Sequence, residues 1–244
     1  MIRLGLLTAA ASLAAAPLLG QSLASRVDAV REGTIEMTFA SRPDVCGDGR
    51  GSIWTTRGGG YNSYECVHGP VRVTIGRSDG QTVSIRSCVA CRPRTDGATQ
   101  FGDVPADEVA RYLLTVAVGI GGTSADKAVS AAALADANVG AELAQLARNE
   151  NATISSRKQA LFWFGQSDAP TKDLIALDHD LTSETLRKQY VFVLSQRHDD
   201  AAVDKLIDVA RHDPNTDVRK QAMFWLGQSH EPKALAFFRD ILTR

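Results

Sequence analysis

The chain has 244 residues, 44% of them hydrophobic and 23% charged, so it is long enough to bury a sizeable core and to form two domains. Its formal net charge is −1, and no long run of Lys and Arg offsets this balance, which argues against a nucleic-acid partner. The composition is that of an ordinary soluble protein.

Residues 1–24 have the layout of a secretory signal peptide. Arg3 precedes an apolar, Ala-rich stretch, and Ser22 and Ala24 supply the small residues of a cleavage site after Ala24. An uncleaved membrane anchor is the alternative, but the apolar part is short for one. No later segment has the run of about 18 apolar residues that a spanning helix needs. The sequence therefore predicts a periplasmic or secreted protein with no membrane span after signal cleavage.

Residues 25–100 are predicted to form a small antiparallel β region. Apolar and polar side chains alternate through residues 33–40, which is the pattern of a strand. The alternation returns in residues 71–85 on both sides of Asp79-Gly80, a dipeptide favoured in the tight turns of β-hairpins. The Gly-rich segment between these strands is predicted to be a long loop with one short strand.

All four cysteines lie in this β region, and in an exported chain they are expected to form disulfides. We predict a Cys46–Cys66 bond, which would close the Gly-rich loop, and a Cys88–Cys91 bond. One alternative is a zinc site formed by the four thiolates, with His68 replacing one of them. The other is a redox role for the CVAC motif, although redox pairs normally open a helix. Neither alternative is preferred, so no cofactor is expected.

The period of the pattern changes after a loop predicted at residues 94–103. Residues 101–124 are assigned to a connecting helix, with Pro105 and acidic residues in its first turn, as helix N-termini prefer. Residues 125–244 have helical spacing throughout. The predicted fold class is therefore α+β, with the small β region followed by helices.

One phrase occurs three times in the helical part. It reads SSRKQALFWFGQS from Ser155, TLRKQYVFVLSQR from Thr185 and DVRKQAMFWLGQS from Asp217, and the aligned arginines are 30 and 32 residues apart. Each copy is followed by a polar break and a second amphipathic stretch, so each unit is predicted to be helix, turn, helix. Gly165 and Gly227 are predicted to end the first helix in a left-handed conformation.

Each first helix also carries a phenylalanine on the side away from its partner helix. These residues are Phe162, Phe192 and Phe224. A single helical hairpin has no use for a second apolar site, whereas stacked units do, so we predict that they pack between repeats. An exposed aromatic row that binds a ligand is the alternative. The candidate binding residues are the Lys-Gln pairs that follow each arginine: Lys158, Lys188, Lys220, Gln159, Gln189 and Gln221.

The repeated phrase resembles the short bacterial HEAT repeats of the type described in phycobilisome lyases. The likeness rests on a polar start, an arginine, a small residue and Leu-Gly, and it covers residues 125–244. It implies an α-helical solenoid and says little about activity. It also implies that Arg157, Arg187 and Arg219 form a structural ladder with acidic residues of neighbouring repeats. The acceptors to examine are Asp178, Asp180, Asp208 and Asp213. The whole chain resembles exported bacterial HEAT-repeat proteins with a strand-rich N-terminal region.

These patterns predict an exported, non-catalytic HEAT-repeat protein that binds another protein or acts as a scaffold, because stacked units form an extended surface without a reactive centre. The alternative is an enzyme or accessory lyase with a site between the Gly-rich loop and the repeats, where Asp48, Glu65 and His68 are the plausible polar cluster. A homodimer through the C-terminal repeat is a further expectation, because Phe237 and Phe238 lie in a terminal unit that lacks a polar outer face.

Overall fold

The computed structural model describes residues 21–56, 66–93 and 96–243. Most of the predicted signal peptide and part of the Gly-rich loop, with Glu65, lie outside the described residues. Within these ranges the chain forms six strands and ten helices, and the fold is α+β.

The strands all lie in the N-terminal part and follow one short helix. They are β1 (Gly33–Phe39), β2 (Val45–Gly47), β3 (Ile53–Thr55), β4 (Val71–Ser78), β5 (Gln81–Val89) and β6 (Thr99–Asp103). The helices are α1 (Leu23–Ala29), α2 (Ala106–Gly119), α3 (Gly122–Ala133), α4 (Gly140–Arg148), α5 (Ile154–Gly165), α6 (Thr171–Ile175), α7 (Glu184–Ser195), α8 (Asp200–His212), α9 (Thr216–Gln228) and α10 (Pro232–Leu242). A 3₁₀ turn at Asp178–Asp180 follows α6.

The main sheet has four strands in the order β5-β4-β1-β6, and β2 and β3 form a separate antiparallel pair. The predicted hairpin is confirmed: β4 and β5 are antiparallel and are joined through Asp79 and Gly80, with φ angles of 51° and 75°. Positive φ at both residues is the conformation that Asp-Gly tolerates in hairpin turns.

The prediction of a purely antiparallel region is wrong, because β6 runs parallel to β1. The segment was predicted to be a loop, and the boundary at residue 100 falls inside the strand. Its sequence, TQFGD, has a single apolar side chain and therefore no alternation to detect. Backbone pairing with β1 holds it in place, with a register shift between Glu36 and Met37.

Strand β1 is buried on both faces, which its alternating sequence does not predict. The Glu36 side chain is fully buried, and its carboxylate accepts a hydrogen bond from Arg72 Nη1 at 2.7 Å. Thr38 on the same face is also buried and donates to Asp103 of β6. A central strand needs partners for its polar side chains, and Arg72 and Asp103 supply them.

The helices form two layers. In one layer α3, α5, α7 and α9 pack side by side, and the other contains α2, α4, α6, α8 and α10. Across the layers α2 packs on α3, α4 on α5, and α8 on both α7 and α9. Helices α5 and α9 therefore pair with the helix before them, whereas α7 pairs with the helix after it. Helix α2, which was predicted to be a connecting helix, is therefore part of the helical stack.

The repeats differ from the expected pattern at α6, which has only five residues. The chain then turns through Asp178–Asp180. Asp178 is buried there, and its carboxylate lies 3.3 Å from Arg187 and 2.8 Å from Lys205. These two ion pairs hold Asp178 in place and so stabilise the turn.

The left-handed helix ends predicted at Gly165 and Gly227 are also wrong, because neither glycine has a positive φ. Gly227 lies inside α9. Gly165 ends α5 against α7, where a Cβ atom would collide with the side chain of Val193. The glycine is therefore required for the close approach of two helices rather than for a cap.

The three aligned arginines have different partners. Arg187 Nε donates to Asp213 at 2.8 Å, and Arg187 also contacts Asp178. Arg157 donates instead to the carbonyl of Ala147 at 2.9 Å, and Arg219 to the carbonyl of Asp213 at 2.6 Å.

The predicted contacts with carboxylates of neighbouring repeats are therefore wrong for Arg157 and Arg219. Of the other two candidate acceptors, Asp180 accepts from Arg148 at 2.6 Å and Asp208 from Lys205 at 2.7 Å. Neither carboxylate bonds an arginine of the repeated phrase among the described residues.

We predict that Asp213→Ala lowers the free energy of unfolding by about 3 kcal/mol, because it removes the fully buried carboxylate that accepts two hydrogen bonds from Arg187. The Asp213 side chain is fully buried, whereas Arg148 and Asp180 are 41% and 45% exposed. Asp180→Ala is the matched control and should cost less than about 1 kcal/mol. Urea unfolding of both variants measures this difference, and equal losses would contradict the assignment.

We also predict that Tyr190→Phe is neutral or stabilises the protein by about 1 kcal/mol. Tyr190 is 1% exposed, its hydroxyl has no hydrogen-bond partner among the described residues, and burial raises its pKa. Removing the oxygen ends the cost of burying an unpaired polar group. A loss of more than 1 kcal/mol in calorimetric unfolding would show that the hydroxyl has a partner.

Candidate functional site

Two members of the polar cluster proposed for an enzyme, Asp48 and His68, lie in the described residues, and each is within hydrogen-bonding distance of backbone groups. Asp48 Oδ1 accepts hydrogen bonds from the backbone amides of Arg50, Gly51 and Ser52 at 2.8, 2.9 and 3.0 Å. These bonds lower the pKa of Asp48 to about 2, so the carboxylate stays charged and holds the loop. The ring Nδ1 of His68 lies 2.9 Å from the carbonyl oxygen of Val45.

Both predicted cysteine pairs are bonded. Cys46 of β2 pairs with Cys66, with Cα atoms 5.3 Å apart, and Cys88 of β5 pairs with Cys91, with Cα atoms 6.0 Å apart. The four sulfurs therefore do not form the alternative zinc site. Elsewhere in the described ranges, no three His, Cys, Asp or Glu side chains come close enough to share a metal ion.

A cleft lies where the sheet meets the helices, and we call it the junction cleft. Backbone hydrogen bonds join the two parts there: Arg42 N donates to Leu134 O at 2.9 Å and Asp136 N donates to Ala40 O at 2.8 Å. The cleft encloses about 850 Å³. Its walls are residues 42–44, the connection between α3 and α4, and the segment between α5 and α6.

The junction cleft has more carboxylates than cations. Its charged lining residues are Arg42, Asp44, Asp136, Arg148, Asp168 and Asp173. Arg42 pairs with Asp44 at 3.1 Å, and Arg148 pairs with Asp180 at 2.6 Å. Asp136 and Asp173 form no ion pair among the described residues. The cleft can therefore accept a positively charged group.

A row of five aromatic rings starts at the cleft and crosses α5, α7 and α9. We call it the aromatic row, and in order it contains Trp163, Phe162, Phe192, Trp225 and Phe224. Neighbouring ring centroids are 5.2, 6.4, 5.4 and 5.1 Å apart. Trp163 also lines the cleft, and the Arg42 guanidinium lies 5.8 Å from its ring. The cleft and the row thus form one continuous surface.

Some of the three phenylalanines of the repeated phrase pack between repeats, and one is exposed. Phe162 and Phe192 are half-buried and stack on each other across α5 and α7, as packing between repeats requires. Phe224 is 56% exposed and contacts Trp225 of its own helix, so the packing prediction is wrong there.

The candidate Lys-Gln pairs lie beside the aromatic row, but several of these side chains already bond to other residues of the protein. Lys188 pairs with Glu184 at 2.6 Å and Lys220 with Asp217 at 3.2 Å. Gln221 donates to the carbonyl of Lys188 at 3.3 Å and so links α9 to α7. Lys158, Gln159 and Gln189 make no such contact among the described residues and are half-buried.

Sequence reasoning missed the junction cleft. Asp136 and Asp173 are single polar residues in connections, and nothing in their local pattern separates them from ordinary loop residues. Trp163 was visible within the repeated phrase, but its place beside Arg42 depends on the contact between the sheet and the helices.

Comparison with protein-family models, with curated proteins and with solved structures finds no match to this chain. Across residues 21–56, 66–93 and 96–243, no helix is both long and apolar enough to cross a bilayer.

Proposed function

We propose that the chain is an exported, non-catalytic protein that binds an extended segment of another protein along the aromatic row. The observation that carries this proposal is the line of partly exposed rings across three adjacent helices. Rigid aromatic side chains supply large contact area at low entropic cost, which is why they dominate protein-binding surfaces.

The dimensions of the row suit a short peptide. Packed helices are about 10 Å apart, so a row across α5, α7 and α9 is about 20 Å long. An extended chain advances about 3.3 Å per residue, and roughly six residues therefore follow the row. The carboxylates of the junction cleft lie at the Trp163 end, which favours a Lys or Arg side chain at that end of the partner.

The proposal includes a HEAT-like solenoid for the helical half. It is supported by the side-by-side packing of α3, α5, α7 and α9 and by the repeated phrase on three of them. In such an array each unit buries its apolar surface against its neighbours and leaves one continuous face for binding. The last unit leaves Leu235, Ile241 and Leu242 of α10 57%, 39% and 83% exposed, which supports the proposed homodimer at this end.

The proposed function is tested by selecting short peptides from a random display library against the wild-type protein. We expect selected peptides to carry apolar residues with a Lys or Arg at one end. Phe224→Ser should weaken their binding about tenfold or more, because an aromatic anchor in a protein interface contributes about 2 kcal/mol. Fluorescence anisotropy with a labelled peptide measures the change.

Val83→Ser is the matched control, because Val83 is 57% exposed and lies on β5, away from the aromatic row. It should bind the selected peptides as the wild type does. Equal affinity of wild type and Phe224→Ser, or a library that yields no specific peptide, would overturn the proposal.

Export also has a prediction of its own, since α1 starts before the predicted cleavage point. Leu23 is 1% exposed, its amide donates to Glu108 at 2.7 Å, and Ser22 caps the helix. Cleavage after Ala24 would remove these contacts. We therefore expect the mature N-terminus at or before Ser22. Intact-mass measurement of protein recovered from the periplasm or medium checks this, and a start at Ser25 would contradict it.

A further inference from the structure

A second concave surface lies on the sheet, away from the junction cleft. It is formed by the loop after β2, by β4, by β5 with its following turn, and by α3, and it encloses about 450 Å³. We call it the basic pocket. Its described lining residues are Arg50, Gly51, Arg72, Thr74, Arg86, Ser87, Cys88, Cys91, Arg92 and Lys127.

The basic pocket collects cations in a chain whose formal net charge is −1. Five of its lining residues are Arg or Lys, and no described lining residue is Asp or Glu. Arg50, Arg86, Arg92 and Lys127 are exposed and form no ion pair among the described residues. Like charges around one pocket repel one another, and an anion bound between them relieves that repulsion.

One of the cations is fixed in position before any ligand binds. The Arg72 side chain is only 13% exposed; its Nη1 donates to Glu36 at 2.7 Å and its Nε to the carbonyl of Cys91 at 3.2 Å. Its Nη2 makes no hydrogen bond within the described ranges. A guanidinium held in this way loses little freedom when it binds an oxyanion.

Two other cations are carried by braced segments. The Asp48 carboxylate accepts three backbone amides of the loop that carries Arg50, and the Cys88–Cys91 disulfide closes the turn before Arg92. Thr74, which pairs with Arg86 across β4 and β5, adds a hydroxyl group to the wall. The pocket therefore combines charge, hydrogen-bond donors and a partly rigid frame.

From this geometry we infer that the basic pocket is a binding site for a ligand carrying phosphate or sulfate groups. Arginine side chains bind such tetrahedral oxyanions through paired N–H groups, and the Thr74 hydroxyl can donate to a remaining oxygen. The volume exceeds what one inorganic ion needs and lies in the range of small-molecule sites, so the ligand carries more than one anionic group or an attached organic part. The site is independent of the peptide surface proposed above.

The test is isothermal titration calorimetry of the full, oxidised chain with pyrophosphate, compared with inorganic phosphate. We expect pyrophosphate to bind more tightly than phosphate, and its affinity to fall as NaCl is raised. The variant Arg86→Ser/Lys127→Ser should bind pyrophosphate at least tenfold more weakly. Arg92→Ser, at another exposed position, is the second variant and should show a smaller loss in the same direction.

The matched control is Lys172→Ser/Arg239→Ser, which removes the same charge from exposed positions outside the pocket. It should bind pyrophosphate as the wild type does. Equal loss in both double variants would show a general charge effect and overturn the site, as would the absence of pyrophosphate binding to the wild type.

Vesicles distinguish the source of the phosphate group. If phosphatidylglycerol vesicles sediment the wild type and pyrophosphate releases it, the pocket binds a lipid headgroup. If vesicles do not bind while pyrophosphate does, the ligand is a soluble phosphate compound. The assignment to the pocket would be overturned if pyrophosphate failed to release the protein from vesicles and Arg86→Ser/Lys127→Ser still bound them.

Discussion

The close side-by-side packing of α5, α7 and α9 is the constraint on which the proposed peptide surface depends. Gly165 allows α5 to approach Val193 of α7, and Gln221 links α9 to the backbone of α7. The buried contact of Arg187 with Asp178 and Asp213 fixes the turns on either side of α7 and α8. If these helices separated, Phe162 and Phe192 would lose their stacking and the row would break into isolated rings.

The two concave surfaces have opposite charge, although the chain as a whole is nearly neutral. The junction cleft holds four aspartates against two arginines, whereas the basic pocket holds five cations. Their separation follows from the architecture, because the cleft forms where the sheet meets α4–α6 and the pocket forms on the sheet and α3. The two ligands proposed for these surfaces would therefore not compete for one site.

Local patterns were sufficient for much of the fold and for little of the site. The hairpin around Asp79-Gly80 and the cysteine pairs could be predicted because turn chemistry and the expectation of export restrict the choices. Strand β6 could not, since TQFGD has no alternation and gains its conformation from β1. The role of Gly165 likewise depends on Val193, a residue in the next repeat. The junction cleft and the basic pocket combine residues from three or more elements, so no window of sequence contains them.

The parallel strand β6 has a consequence for how the chain is made. Synthesis delivers the N-terminal end first, so β1 emerges with both of its edges open. The hairpin of β4 and β5 covers one edge, but the other stays uncovered until residues 99–103 follow. During that interval the nascent chain exposes a hydrophobic strand edge, a known starting point for aggregation. Holding chaperones should therefore affect the yield of this protein before helices α2 to α10 have formed.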